Sequence, residues 1–363
     1  MYLAVLGRQS EISIAELDAL FREVKKVTSQ IAVFDADDLP DIRRLGGSLK
    51  LAEKISEPVL DFLAGLADGK ITFGISDYTH GATFKTVNLE AMKLKKILTR
   101  HGRSVRIVTG KGATLSTATS LHNGLSGKNP KKVELIKLDN DWYRVIGVQD
   151  IDAYSRRDQA RPSRDAKVGM LPPKLAQILI NLCGPLKKGA AVLDPFCGTG
   201  VVLQEAMLMG YRAYGTDVSE RMIEYSKKNL EWLSDSKSTF LLSQGDATSF
   251  QWQESIDAVA CEGYLGVPMS NPPTEMKLKE QKQICTEIIL GFLKNLGAQI
   301  KSGTPVVIAA PAWLQTNGKY SRLLIIDEIS NMGYNVDNRS REGLLYHREG
   351  QVVARDIIIL RKK

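Results

Sequence analysis

The chain is poor in the residues that build cross-links and metal sites. Among 363 residues there are four cysteines (Cys183, Cys197, Cys261, Cys285) with no paired spacing, and four scattered histidines (His80, His101, His122, His347). That usage argues against a disulfide framework and a zinc site; it predicts reduced thiols, a cytoplasmic setting and no metal. No apolar run reaches the ~18 residues of a membrane span, so no membrane partner is expected. The opening MYLAVLGRQSE lacks the basic and long apolar regions of a signal peptide. Acids are scarce in the middle: from Lys85 to Lys132 eleven cations meet one acid, Glu90.

What remains is ordinary for a globular protein of two or three domains, with 43% hydrophobic and 25% charged residues. The net charge of +8 is unevenly spread. The Lys85–Lys132 cluster is followed by Arg156, Arg157, Arg161, Arg164, Lys167 and Lys174 against Asp158 and Asp165. Cations gathered in this way predict a polyanion partner, and Lys93, Lys96, Arg100, Arg103, Arg106, Lys111, Arg156, Arg157 and Arg161 are the candidate RNA contacts.

The most informative stretch runs from Ala190 to Asp217. An apolar strand ends at Asp194, the turn Pro195-Phe196-Cys197-Gly198-Thr199-Gly200 follows, and then a helix-like run and a second strand that delivers Asp217. This order is half of a doubly wound α/β sheet. Glycines let a ligand approach the backbone, and the helix start offers free N–H groups. Dinucleotide sites use G-x-G-x-x-G, and the third glycine is missing here. An acid at the turn would repel a pyrophosphate but suits a ligand bearing an ammonium.

The string D-P-F-C-G-T-G resembles motif I of the amino-methylating methyltransferases that use S-adenosylmethionine (SAM). The resemblance implies SAM as cofactor, held by Asp194, Phe196, Gly198, Thr199 and Gly200. Asp217, followed by Val218, would hold the ribose. Asp246, with Ala247, would receive the adenine amine. The segment Lys111-Gly112-Ala113-Thr114-Leu115-Ser116-Thr117-Ala118, with His122-Asn123-Gly124-Leu125, resembles a THUMP RNA-binding domain. Together these resemble the THUMP-domain tRNA guanosine-N2 methyltransferases over nearly the whole chain, which implies RNA, and specifically tRNA, as partner. The run from Arg161-Pro162 to Leu171-Pro172-Pro173-Lys174 resembles the family segment that packs on the methionine end of the cofactor, and Tyr346-His347-Arg348 with Arg355-Asp356-Ile357 resembles its C-terminal strands.

The expected fold class is α/β. A small ferredoxin-like α/β unit (1–70) comes first, then a THUMP-like domain (71–150), an arginine-rich linker (151–172) and a Rossmann-like methyltransferase sheet (173–363). In the first unit, strands are expected at 1–6 and 27–34, with a helix after a Ser10 cap and another over 42–55. In the second, helices are expected over 89–98 and 115–125 (Ser116 near the cap) and strands over 104–108, 132–138 and 142–148. A helix starts within 170–182. In the last domain, strands are expected at 239–242, 256–261 and 304–309, with Pro311-Ala312-Trp313 as a loop beyond, and three further segments forming an antiparallel end.

Amine methylation needs an acceptor for the amine N–H groups and an aromatic that stacks the extruded base. Related enzymes supply both with D-P-P-Y or N-P-P-Y after strand four. Here the text is Cys261-Glu262-Gly263-Tyr264-Leu265-Gly266. Glu262 takes the acid position, Gly263 and Tyr264 the two prolines, and Leu265 the aromatic. Glu262 is therefore the candidate acceptor and Tyr264 the candidate stacking residue, with the rigid proline turn lost. Asn271-Pro272-Pro273-Thr274 falls beyond the strand and reads as a loop. Three functions stay open: a tRNA guanosine-N2 methyltransferase, an rRNA or DNA amino-methyltransferase, or an RNA-binding protein whose methyltransferase fold does no chemistry.

Overall fold

Short apolar runs cut by glycine and polar turns become the strands, and the amphipathic runs between them become the helices. The computed structural model describes residues 1–165, 170–233 and 239–363; Lys167, one of the linker cations, lies outside the described residues. By contacts the chain divides into two units, Met1–Tyr154 and Ser155–Lys363.

The first unit contains β1 (Tyr2–Leu6), α1 (Ser10–Leu20), β2 (Arg22–Lys26), β3 (Ile31–Asp35), β4 (Ser48–Lys54), α2 (Val59–Ala64), β5 (Ile71–Asp77), α3 (Phe84–Arg100), β6 (Val105–Val108), α4 (Thr117–His122), β7 (Lys132–Leu138) and β8 (Asp141–Val148). All eight strands share one sheet, in the order β2-β3-β1-β4-β8-β7-β5-β6. Residue 70 does not divide it, because β4 is paired antiparallel to β8. Ser116 caps α4 as expected, its hydroxyl accepting the Thr119 N–H at 3.1 Å.

Three local expectations are corrected. Ser10 is the first helical residue of α1 and not its cap, a place taken by Gln9. The strand expected over 27–34 begins only at Ile31, since Val27 and Thr28 turn back to the Ile31 carbonyl. The helix expected over 42–55 is one 3-10 turn (Ile42–Arg44) followed by β4. Gly46 and Gly47 interrupt it, donating their N–H groups to the buried Glu16 carboxylate at 2.9 and 2.8 Å. Beyond them the chain enters mid-sheet, where a strand covered on both faces shows no alternation of polar residues.

The second unit contains α6 (Pro173–Asn181), β9 (Ala191–Asp194), α7 (Val201–Leu208), β10 (Arg212–Asp217), α8 (Glu220–Leu233), β11 (Phe240–Gln244), β12 (Ala258–Glu262), α9 (Glu275–Gly297), β13 (Pro305–Leu314), β14 (Tyr320–Arg322), α10 (Ile326–Asn331), β15 (Tyr334–Val336), α11 (Asn338–Glu342), β16 (Leu345–Tyr346) and β17 (Val353–Lys362); α5 (Ile151–Gln159) crosses the boundary. The main sheet runs β11-β10-β9-β12-β13-β17-β15. Its first five strands are parallel, and β17 and β15 turn antiparallel, which makes this the Rossmann-like α/β fold expected. Its core joins Leu193, Val259 and Ile308 of the strands to Ile289, Phe292 and Leu296 of α9.

Pro311-Ala312-Trp313 is not a loop. These residues continue β13, opposite Arg355, Ala354 and Val353 of β17. Pro311 is tolerated because it falls between the end of β12, at Ala309, and the first rung of β14, at Ala312, where a missing N–H costs no ladder bond. Pro272 and Pro273 do lie outside any element, and Thr274 caps α9.

Candidate active site

Strand order reverses at β9, which has β10 on one side and β12 on the other. In open α/β sheets, ligands bind in the crevice beyond the strand ends at such a switch. Asp194, Asp217 and Glu262 are the last residues of β9, β10 and β12.

The glycine turn after β9 is held from all sides. Gly198 and Gly200 adopt positive φ (50° and 82°), and a Cβ on Gly200 would meet Ser226 Oγ at 2.9 Å. Asp194 accepts the Phe196 N–H at 3.1 Å. Asp217 accepts the Gly198 N–H at 2.9 Å on one oxygen and the Ser219 N–H at 2.9 Å on the other. From α8, Ser226 donates to the Gly198 carbonyl at 2.8 Å and Asn229 to the Thr199 carbonyl at 2.8 Å. Asn229 also exchanges two bonds with the Ser163 backbone, at 2.9 Å each. The sequence reading missed Ser226 and Asn229; their only signal is two polar residues three apart on a helix.

The carboxylates influence one another. Burial pushes the Asp194 pKa well above the usual range, and Asp217 and Glu262 push it further. Burial also raises Asp217, against the Ser219 and Gly198 amides. It raises Glu262 as well, against the opposing charge of Arg355. One buried and two half-buried acids with one guanidinium among them form a site suited to a cationic ligand. Each carboxylate has about four lone-pair positions; the two backbone bonds of Asp217 leave room for two ribose hydroxyls.

Asp246 is exposed at the rim, and one of its oxygens takes the Thr248 N–H and hydroxyl at 2.9 and 2.8 Å. Ala247 beside it is buried, Val218 is 68% exposed, and Phe196 packs edge-on against Phe292.

After β12 the departure from D-P-P-Y has a structural reason. Gly263 donates its N–H to the Ala309 carbonyl at 3.0 Å, which a proline could not do. The next turn is set by Gly266 (φ 81°), and buried Gln281 accepts the Val267 N–H at 2.9 Å. Tyr264 is 40% exposed. Glu262 accepts a bond from Arg355 at 2.6 Å, a partner 93 positions away that the sequence did not suggest.

The candidate RNA contacts separate into two groups. Lys93, Lys96, Arg100, Lys111 and Arg156 are exposed; Arg156 lies over the Trp232 ring at 5.4 Å. Arg106 is exposed and donates to Asn123 at 3.1 Å. Arg103 is occupied within the fold, donating to the Leu66 and Ala67 carbonyls at 2.8 and 3.0 Å. Arg157 is ion-paired with buried Glu205 at 2.7 Å. Arg161 is 3% exposed. Charge counting assigned Arg103, Arg157 and Arg161 to a polyanion surface; the first two are half-buried and engaged by partners within the fold, and the third is buried.

Arg161 instead lies against the glycine turn. Its guanidinium reaches Thr199 Oγ1 at 3.4 Å and Met170 Sδ at 3.4 Å, and its buried Nε has no hydrogen-bond partner among the described residues. An orphaned buried guanidinium N–H beside this turn fits the carboxylate of an amino-acid ligand, and the acids opposite fit an ammonium and a sulfonium.

Residues 161–308 match the UPF0020 family, described as RMKL-like, methyltransferase domain. A tRNA (guanine(10)-N2)-dimethyltransferase of Methanothermobacter thermautotrophicus is 32% identical over 192 residues, covering 49% of this chain and 54% of that protein. A probable tRNA (guanine(10)-N2)-dimethyltransferase of Methanothermococcus thermolithotrophicus is 34% identical over 140 residues, covering 38% of this chain and 79% of that protein. The chain spans about half the length of the first of these relatives. The crystal structure of TrmN from Thermus thermophilus aligns with a TM-score of 0.46 at 17% identity, covering 100% of this chain and 99% of that one.

Proposed function

This chain belongs to the family of tRNA guanine-N2 methyltransferases, and we propose that it transfers a methyl group from SAM to the exocyclic N2 amine of a guanosine in tRNA. The observation that carries this reading is the convergence of Asp194, Asp217 and Glu262 at one switch point.

When bound, SAM supplies an electrophilic methyl group on a sulfonium. Asp194 would hold its ammonium, Arg161 its carboxylate, and the Gly198–Gly200 turn would cradle the amino-acid end. Asp217 would accept from the ribose hydroxyls. The second oxygen of Asp246 would take the adenine amine, with Ala247 and Val218 beside the ring. Glu262 accepts an N–H of the guanosine amine, which aims the nitrogen lone pair along the transfer axis and opposes its delocalisation into the ring. Tyr264 stacks the extruded base. The methylated amine is acidic, and its proton leaves to water or to Glu262.

The exposed cations of α3 and the Lys111 loop serve as the RNA-facing surface of a THUMP-like module. That loop is anchored from below: buried Lys50 pairs with Glu134 at 2.5 Å and donates to the Leu115 carbonyl at 2.8 Å. Ser76 receives the Leu115 N–H at 2.8 Å.

The test is incubation with labelled SAM and total tRNA, rRNA or DNA, with modified nucleosides identified by mass spectrometry. N2-methylguanosine in tRNA is expected. Label only in DNA or rRNA changes the substrate, and label nowhere favours a binding protein.

A further inference from the structure

D-P-P-Y aims its acid by means of a stiff proline turn. Glu262 has no such turn and is one methylene longer than aspartate, so its carboxylate needs another restraint. β17 supplies one. In the intervening β13, Ala309 is paired with Glu262 and Pro311 with Arg355, which brings Arg355 to the end of β12. Arg355 donates Nε–H to Glu262 Oε1 at 2.6 Å. The two side chains are 4% and 16% exposed, so neither swings freely in water. Oε2 makes no hydrogen bond among the described residues, and neither do the terminal nitrogens of Arg355. Glu262 thus has one oxygen fixed and one to offer.

We propose that Arg355 is the positioning residue of this site, holding Glu262 by one oxygen so that the other meets the amine, in place of the lost proline turn. The proposal rests on the methyl-transfer reading above. It accounts for the two departures together: glycine at 263 adds one rung between β12 and β13, and the longer acid reaches across β13 to a cation on β17. A bare carboxylate in this crevice would have no fixed rotamer and would sit among like charges.

The experiment compares Arg355→Met and Arg355→Lys with the full-length wild type. Far-UV circular dichroism and a thermal melt check that both variants remain folded. In tRNA methylation, R355M should lower kcat about 100-fold, the scale of a misplaced reacting group, with KM for tRNA little altered. The acidic limb of its pH profile should move to higher pH, because Glu262 loses the cation that favours its ionised form. R355K should recover part of both. The Glu262 midpoint, read by NMR of carboxyl-labelled glutamate and assigned with E262Q, should rise in R355M without any RNA present. Wild-type kcat and pH profile in R355M would overturn the proposal, as would an unmoved midpoint. If the wild type methylates no RNA, the methyl-transfer reading fails; a raised midpoint then still upholds the Arg355 clamp on Glu262, and an unmoved one overturns it.

Discussion

The Gly198 amide is bonded to the Asp217 carboxylate at 2.9 Å, so the turn after β9 and the tip of β10 form one rigid rim. Ser226 and Asn229 fix the same turn from α8. A rim assembled before the ligand arrives loses little entropy on binding.

The acids on that rim predict a pH signature. Asp194 and Asp217 have folded pKa values raised above their unfolded ones, chiefly by burial. The retained protons stabilise the fold below the ordinary carboxylate range, and that contribution is lost as pH rises through the raised values. Without ligand, the midpoint of thermal unfolding should therefore fall as pH rises above about 4. A cation favours the ionised forms, so SAM binding should release protons and tighten over the same range. Calorimetry in buffers of different ionisation enthalpy checks this; proton uptake would contradict it.

Arg161 should act on one end of the cofactor only. Arg161→Met is expected to weaken SAM by about 1.5–3 kcal/mol, the worth of a hydrogen bond to a charged group. Binding of 5′-methylthioadenosine, which lacks the amino-acid end, should not change. Equal losses for both ligands would mean that Arg161 acts through folding.

These residues also mark how far the sequence could be read. The glycine turn and the acid of strand two lie within 24 consecutive positions, 194–217, so local order alone located the turn and the acid at the switch point of the sheet. The strands of the doubly wound half were legible because buried parallel strands are short apolar runs. The continuation of β13 through Pro311 was not, because it depends on which neighbours lie beside that residue. Arg355 and Glu262 meet only through sheet order. A count of charges cannot tell Lys96, in solvent, from Arg157, paired with a buried acid.

That last contrast predicts opposite phenotypes. Replacing Lys93 and Lys96 with alanine should weaken RNA binding and flatten its salt dependence by about 0.7–0.9 in log–log slope per lost phosphate contact, with stability unaffected. Arg157→Met should leave the salt slope alone and destabilise the protein by about 3–5 kcal/mol, because Glu205 becomes an unpaired buried charge. Filter binding at several salt concentrations and thermal melts separate the two.

Restoring the family proline should not improve the enzyme. Gly263→Pro removes the donor to the Ala309 carbonyl, at a cost of about 1–3 kcal/mol. A lower melting temperature without a gain in turnover is expected. A faster, equally stable G263P would show that the glycine is a defect and not part of the clamp on the strand end.

The most direct measurement is calorimetric titration of SAM into the wild type and into a folded Asp194→Asn, Asp217→Asn double variant. Saturable binding at one site per chain by the wild type, abolished in the variant, is the predicted result. Equal binding by both proteins, or no binding by the wild type at any salt concentration, would contradict a cofactor crevice built from these acids.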